Sequence, residues 1–154
     1  MSATEHFFDT NVLLYLLSDD DRADAAAALV ATGGVISVQV LNEFAAVATR
    51  KLRMSVAEVG AFLADMRRFL KVVPMTVSMH ERALNLAQRY KFGIYDSLIV
   101  GAAMEAGCTI LYSEDLQHRQ HIAGRLTVLN PFAKPSRLIK PRVRRKQIKP
   151  VPDR

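Results

Sequence analysis

The stretch HFFDTNVLL, residues 6–14, decides the fold of this chain. Phe7 and Phe8 are apolar and aromatic, which is typical of a short buried strand. Asp9 follows where that strand would end, and an apolar run from Val12 restarts the chain as a helix. A strand, an acidic turn and a helix indicate an open α/β sheet, in which ligand sites lie at the carboxyl ends of the strands. Asp9 is therefore a candidate for chemistry, and the simpler alternative is that Asp9 is a turn residue and Asn11 a helix N-cap.

Further strands and amphipathic helices alternate along the rest of the chain. The residue pattern predicts strands at 35–38, 71–76, 109–112 and 126–130, with Pro74 marking a sheet edge or a strand end. Helices are predicted at 38–52, 55–70, 78–90 and from 96, with Ser55 and Glu58 spaced as a capping box. A short helix is also expected before the last strand. This alternation predicts a mostly parallel sheet with helices on both faces.

Length and composition fit one ordinary domain with a sizeable core. The chain has 154 residues, of which 50% are hydrophobic. No apolar run is long enough to span a membrane, and the pattern of a signal peptide is missing. We therefore expect no membrane association. The single cysteine, Cys108, excludes an internal disulfide, so we also expect a reducing, cytoplasmic setting.

The net charge of +6 is unevenly distributed. Residues 133–154 carry nine Lys and Arg residues against one acid, Asp153, and four prolines interrupt that segment. Residues 1–132 are slightly acidic. We therefore predict a domain at 1–132 and a basic, proline-containing C-terminal tail at 133–154. Such a tail suits nucleic acid or an acidic partner, and a solvated end is the simpler alternative.

Four acidic residues are placed so that they could meet at one edge of the predicted sheet. Asp9 and Asp115 follow predicted strands, Asp96 starts a helix, and Glu43 lies on a helix that follows a strand. Each has an ordinary alternative, because Asp is a frequent N-cap and a lone Glu on an amphipathic helix is usually solvated. The hypothesis of a common site therefore depends on all four converging in one crevice.

Such a cluster of carboxylates needs a counter-charge. One pair of like charges at ~4 Å costs about 4 kcal/mol at an effective dielectric constant of 20. Divalent cations remove this repulsion, and ligands that are all oxygen favour Mg²⁺ or Mn²⁺. An acid-bound Mg²⁺ suits phosphoryl chemistry, because the metal polarises a phosphate and lowers the pKa of an attacking water. Asn11 and Ser113 are candidates for positioning water or phosphate oxygens.

Four motifs in this order resemble the PIN-domain ribonucleases, and most of all the VapC-type toxins of toxin–antitoxin pairs. They are FDTN (8–11), SVQVLNEF (37–44), YDS (95–97) and LYSEDLQH (111–118). The resemblance covers residues 5–132. It implies a three-layer α/β/α fold and a metal-dependent endoribonuclease that uses Mg²⁺ or Mn²⁺ to cleave RNA.

The same resemblance implies residue roles and partners. Asp9, Glu43, Asp96 and Asp115 match the catalytic and metal-binding acids, and Asn11 and Ser113 match the accompanying polar positions. Family toxins usually form homodimers and are silenced by a cognate antitoxin protein. The chain departs from the family in its basic tail, which could hold RNA phosphates, affect an antitoxin or be dispensable.

Two other classes of protein compete with this prediction. A haloacid-dehalogenase-like phosphatase would have a second Asp where this chain has Asn11. A PIN fold that has lost activity and binds RNA through its basic tail is the remaining alternative, and the complete acidic quartet argues against it. His118 and His121 are conceivable metal ligands, although a solvated helix or turn explains them more simply.

Overall fold

The computed structural model describes residues 5–133, which form a three-layer α/β/α fold around a six-stranded sheet. The strands are β1 (His6–Phe8), β2 (Gly34–Ser37), β3 (Leu70–Val73), β4 (Ile110–Tyr112), β5 (His121–Ile122) and β6 (Leu126–Leu129). The helices are α1 (Thr10–Tyr15), α2 (Asp21–Ala31), α3 (Val38–Arg50), α4 (Val56–Phe69), α5 (Val77–Tyr90) and α6 (Ile94–Glu105).

The strand order is β3-β2-β1-β4-β6-β5, and every pair is parallel except β5 with β6. This confirms the predicted mostly parallel sheet. Strand β1 lies between β2 and β4, where Phe7 is in register with Val35 and Leu111. Because β1 and β4 run in the same direction, Asp9 and Ser113 leave the sheet at the same edge.

The core is built from the apolar residues that the sequence places on the strands and on the inner faces of the helices. Phe7 and Phe8 are fully buried, as expected for a central strand of a parallel sheet. Phe44 of α3 is also fully buried and stacks on Phe62 of α4, with ring centroids 4.9 Å apart. Helix α3 is thereby held against its neighbours in the orientation that turns Glu43 towards the sheet edge described below.

Helix starts follow the capping residues closely. The Ser37 side chain caps α3, and Ser55 and Glu58 form the predicted capping box of α4. Asp9 is itself the N-cap of α1, since its side chain accepts a hydrogen bond from the Thr10 backbone N–H. The capping role considered for Asn11 therefore falls to Asp9.

Three sequence predictions need correction. No helix precedes the last strand within the described residues, and that position holds turns and the two-residue strand β5. Helix α6 begins at Ile94 with Gly93 as its N-cap, so Asp96 lies in the first turn, at the predicted helix start, and the alternative that it is the N-cap is wrong. Strand β2 spans Gly34–Ser37 because Ser37 caps the helix that already includes Val38.

Both alternatives considered for Pro74 hold, since β3 lies at the edge of the sheet and ends at Val73, so the strand predicted at 71–76 is shorter than expected. Among residues 5–133, no helix is long and apolar enough to cross a membrane. The predicted tail, apart from Ala133, lies outside the described residues.

Candidate active site

Asp9 lies at the centre of the candidate site, directly after β1. Its side chain is only 3% exposed. One carboxylate oxygen accepts a 2.7 Å hydrogen bond from the Thr10 backbone N–H, and the other accepts a 2.7 Å bond from the Ser113 hydroxyl. The Asp9 backbone N–H donates to the carbonyl oxygen of Tyr112 on β4 at 2.9 Å. Asp9 is thus fixed by groups from two neighbouring strand ends.

The turn after β4 positions Asp115 beside Asp9. The Asp115 backbone N–H donates to the Ser113 hydroxyl oxygen at 3.2 Å, which leaves that hydroxyl proton for Asp9. The Asn11 amide donates to a carboxylate oxygen of Asp115 at 3.1 Å, and its carbonyl oxygen accepts from the Glu114 backbone N–H at 3.3 Å. Ser113 is fully buried, so its hydroxyl contacts the Asp9 carboxylate and the Asp115 backbone and not the solvent.

The structure brings three of the four predicted acids together. One carboxylate oxygen from each of Asp9, Asp96 and Asp115 lies within 4.8 Å of the other two. We call these three residues the carboxylate cluster. Asp9 is buried, Asp96 is partly buried and Asp115 is exposed, so the cluster connects the protein interior to solvent.

Glu43, the fourth predicted acid, lines the same cleft but is not one of the three clustered residues. One of its oxygens accepts a 2.7 Å bond from the Thr10 hydroxyl, and the other accepts a 3.0 Å bond from the Gln39 amide. The Gln39 amide also donates to the Tyr95 carbonyl oxygen at 3.2 Å, which ties α3 to the start of α6. Glu43 is therefore held in place and does not extend freely into solvent.

The acidic cleft formed by these residues has a volume of about 280 Å³. Its wall also includes the basic side chain of Arg50, from the last turn of α3. The complete lining comprises Asp9, Thr10, Asn11, Leu14, Glu43, Ala46, Val47, Arg50, Asp96 and Asp115.

Burial and mutual repulsion change the protonation of the cluster. Burial is the largest cause that raises the pKa of Asp9, and the charges of Asp115 and Asp96 add to it. The bonds from Ser113 and Thr10 lower it, and the net pKa is about 7. The pKa of Asp96 is also raised, first by burial and then by the charges of Asp115 and Glu43. The carboxylates are therefore costly to ionise together in the protein alone.

This arrangement fits a divalent cation. Three carboxylates supply only hard oxygen ligands, which suit Mg²⁺ or Mn²⁺. A cation would relieve the repulsion that adds to the effect of burial on both pKa values. The two histidines considered from the sequence do not join the cluster. His118 accepts a bond from the Asn130 backbone N–H, and the His121 ring lies 3.1 Å from the Thr127 hydroxyl.

Sequence reasoning missed three residues that organise the site. Thr10 and Gln39 hold Glu43, and the Tyr15 hydroxyl donates to the carboxylate of Glu114 beside the cluster. Thr10 follows Asp9 directly, and Gln39 lies four residues before Glu43, which is one helical turn. That spacing was the available signal for Gln39, whereas the Tyr15 contact joins residues that are distant in sequence.

Comparison with known families agrees with this combination of fold and acidic cleft. The family model of the PIN domain matches residues 6–122. The chain therefore belongs to the PIN domain family. No curated protein matches the chain by sequence.

Solved structures with a similar fold include toxins and toxin–antitoxin complexes. A toxin–antitoxin complex from Klebsiella pneumoniae shares 20% identity at a TM-score of 0.64, covering 83% of this chain and 98% of that one. VapC20 from Mycobacterium tuberculosis, a sarcin–ricin loop cleaving toxin, shares 20% identity at a TM-score of 0.59, covering 71% and 88%. VapBC2 from Rickettsia felis, bound to a DNA fragment from its promoter, shares 19% identity at a TM-score of 0.61, covering 81% and 97%.

Proposed function

We propose that this chain is a metal-dependent endoribonuclease that acts as the toxin of a toxin–antitoxin pair and hydrolyses RNA phosphodiester bonds. The observation that carries the proposal is the carboxylate cluster, in which oxygens of three acids lie within 4.8 Å of one another at the edge of a PIN-domain sheet. Carboxylates this close together favour a divalent cation over an unoccupied state because they repel one another.

Asp9, Asp96 and Asp115 are the proposed ligands of Mg²⁺ or Mn²⁺. Bound there, the ion would supply charge that polarises the scissile phosphate and lowers the pKa of an attacking water. The protein contributes by fixing the ligands before the ion arrives. Ser113 and Thr10 hold the two oxygens of Asp9, and Asn11 holds one oxygen of Asp115.

Glu43 acts in this proposal from the wall of the cleft. Its two oxygens are restrained by Thr10 and Gln39, so it presents a negative charge of fixed position next to Asp96. We propose that it completes the acidic quartet, either as a metal ligand through water or by orienting the attacking water. Asn11 lines the cleft and is available to RNA, whereas buried Ser113 acts on substrate only by positioning Asp9.

The toxin assignment draws support from the structural relatives, which are toxins or toxin–antitoxin complexes. We infer by similarity that this chain also pairs with an antitoxin protein, forms a homodimer and works in the cytoplasm. We further propose the division into a nuclease domain at 1–132 and a basic tail at 133–154, since the family match ends within the first part.

The proposal is tested by incubating a mixed cellular RNA pool with the full chain and mapping the new RNA ends. Reactions contain Mg²⁺, Mn²⁺ or a chelator, and each is repeated with Asp96→Asn. The matched control is Asp65→Asn, because Asp65 is an exposed acid on α4 that does not line the cleft. We expect discrete cuts that need the metal, that disappear with Asp96→Asn and that persist with Asp65→Asn.

Two results would contradict the proposal. Cleavage that survives the chelator or Asp96→Asn would place the chemistry elsewhere. Bound RNA without cleavage under any condition would favour the alternative function, a non-catalytic PIN-fold module that binds RNA through its basic tail.

A further inference from the structure

Two large apolar side chains are exposed at the start of α6, beside the acidic cleft. Tyr95 is 69% exposed and Ile94 is 46% exposed. The helix that follows them is different, since residues 97–104 are all buried. Helix α6 is therefore a core helix whose first turn reaches the surface with apolar side chains. An amphipathic pattern along the helix does not explain this exposed pair.

The ring of Tyr95 takes no part in holding the fold together. The two aromatic rings just before it, Tyr90 and Phe92, stack with centroids 5.3 Å apart, and the Tyr90 hydroxyl accepts the Ala123 backbone N–H at 2.8 Å. Among residues 5–133, the Tyr95 ring stacks on no aromatic ring and its hydroxyl makes no hydrogen bond. The ring is therefore available to a ligand.

The backbone of Tyr95 is fixed relative to the acids of the cleft. The Gln39 amide donates to the Tyr95 carbonyl oxygen at 3.2 Å and to a carboxylate oxygen of Glu43 at 3.0 Å. The Gln39 side chain is only 6% exposed. The next residue, Asp96, belongs to the carboxylate cluster, and its Cα atom lies ~3.8 Å from that of Tyr95. The exposed ring thus projects from a rigid point one residue away from the cluster.

A basic side chain lies at the other end of the cleft. Arg50 lines the cleft and is exposed, and its Nε–H donates to the Ala46 carbonyl oxygen at 3.3 Å. Within the described part of the chain, its guanidinium forms no ion pair with an acid. Gln39, which contacts Tyr95, lies 11 residues before Arg50 on α3. That separation is about 16 Å along the helix axis at ~1.5 Å per residue, with Glu43 between the two ends.

A nucleotide strand matches the chemistry along this line. Aromatic side chains stack on the faces of unpaired bases, and this contact tolerates any base. A guanidinium suits a phosphate, and the phosphate to be cleaved would lie at the carboxylate cluster. A base inside a duplex has both faces covered by its neighbours, so the Tyr95 ring suits an unpaired nucleotide.

We propose that the ring of Tyr95 stacks on an unpaired RNA base next to the phosphate that is cleaved. The stacking rests on the proposed function, because that function places the phosphate at the carboxylate cluster. Since stacking tolerates any base, Tyr95 would set the position of the strand in the cleft and not the identity of the nucleotide.

The expected effect is on binding more than on the chemical step. Losing one base stacked on an aromatic side chain weakens binding by about 5-fold to about 150-fold. The stacked base lies outside the reacting phosphate, so the contact is the same before and during the reaction. Tyr95→Ala should therefore raise KM about tenfold or more, with kcat and the metal requirement little changed. Tyr95→Phe keeps the ring and should behave like the native chain.

The test measures stacking directly with short single-stranded RNAs that carry 2-aminopurine, each at a different position. The fluorescence of 2-aminopurine falls when it stacks on an aromatic ring. Binding is measured in Mg²⁺ with Asp9→Asn chains, and KM and kcat are measured with Asp9 present on the RNA that the chain cleaves best. Tyr95→Phe and Tyr95→Ala are compared in both assays. Phe69→Ala is the matched control, because Phe69 is 58% exposed on α4 and does not line the cleft.

We expect quenching of at least one of these RNAs by the chains with Tyr95, Tyr95→Phe and Phe69→Ala, and its loss with Tyr95→Ala. Equal quenching with Tyr95 and Tyr95→Ala, or a Tyr95→Phe chain that quenches no more than Tyr95→Ala, would overturn the stacking. A sedimentation coefficient of the RNA-free chain that changes with Tyr95→Ala would assign the ring to a contact between copies of the chain and also overturn it.

The two assays separate the stacking from the nuclease. Metal-dependent cleavage with the same KM for Tyr95→Ala and the native chain would overturn the stacking and leave the proposed function intact. Quenching that depends on Tyr95, with no RNA cleavage by any chain that retains Asp9, would support stacking on RNA and contradict the proposed function.

Discussion

The hydroxyl of Ser113 donates a 2.7 Å hydrogen bond to the buried carboxylate of Asp9, and so joins the ends of two neighbouring parallel strands. The same hydroxyl oxygen accepts the backbone N–H of Asp115. One buried serine thus sets the relative positions of two acids of the carboxylate cluster. Its loss should therefore change the protonation of Asp9 as well as the stability of the fold.

We predict that Ser113→Ala raises the pKa of Asp9 above its value of about 7, because the bond from Ser113 lowers that pKa. A hydrogen bond to a charged group contributes about 1.5 kcal/mol or more, which corresponds to a pKa increase of about 1. The measurement is an NMR titration of the Asp9 carboxyl carbon in metal-free protein. Ser97→Ala is the control, since Ser97 is also fully buried but its hydroxyl has no hydrogen-bond partner among residues 5–133. An unchanged pKa in Ser113→Ala would contradict the assigned contact.

The stability of the metal-free protein should fall as the pH rises towards and through 7. The pKa of Asp9 is about 7 in the folded protein and 3.8 as its ordinary value. The folded state therefore binds the proton more tightly, and this contribution to stability is present below pH 3.8 and lost as the pH rises through about 7. Its full size is about 4 kcal/mol at most.

Asp9→Asn, which does not ionise, isolates this effect. We expect the stability of Asp9→Asn relative to the native chain to increase by roughly 2 kcal/mol between about pH 5 and about pH 8. The measurement is urea unfolding in the presence of a chelator. If the difference in unfolding free energy between the two proteins did not vary with pH, Asp9 would not titrate in this pH range, which contradicts the prediction.

Thr10→Val should weaken catalysis while the fold is retained. The substitution keeps the shape of a residue that is 6% exposed and removes the hydroxyl that donates to Glu43 at 2.7 Å. Losing a hydrogen bond of about 1.5 kcal/mol to a charged group corresponds to about a tenfold lower rate of RNA cleavage. Thr10→Ser restores the hydroxyl and should recover most of the rate. Equal rates for Thr10→Val and Thr10→Ser would show that neither the Thr10 hydroxyl nor the position of Glu43 that it fixes contributes to catalysis.

Two glycine substitutions should have opposite effects on stability. A Cβ atom at Gly34 would lie 2.4 Å from the ring of Phe8, which is fully buried and has no room to move. Gly34→Ala should therefore destabilise the fold by about 1–3 kcal/mol.

Gly60 is exposed within α4 with nothing near its Cβ position. Gly60→Ala should therefore stabilise the fold by about 0.5–1 kcal/mol. Thermal unfolding measures both, and a neutral Gly34→Ala would contradict the packing of β2 against β1.

Much of the fold follows from local sequence signals. The buried strand at Phe7 and Phe8, and the capping box of Ser55 with Glu58, depend on residues close together in the chain, and the structure contains both. The short strand β5 was missed because two residues carry no periodicity, and its pairing with β6 depends on turns at Ala123 and Gly124 with positive φ.

The site was less accessible to sequence reasoning than the fold. Asp9 and Asp115 follow strands that are adjacent in a parallel sheet, so their convergence could be predicted from topology. The restraint of Glu43 by Thr10 depends on how α1 and α3 pack, which no local pattern specifies. The burial of Ser113 likewise arises from its place between two strand ends.

The most direct test of the central claim is the rate of RNA cleavage as a function of Mn²⁺ concentration for the native chain, Asp115→Asn and Asp65→Asn. We predict no cleavage without the ion, a saturable increase with it for the native chain and Asp65→Asn, and a large loss or a much higher Mn²⁺ requirement for Asp115→Asn. Cleavage that needs no divalent ion, or an Asp115→Asn curve that superimposes on that of the native chain, would contradict a metal-dependent site built on Asp9, Asp96 and Asp115.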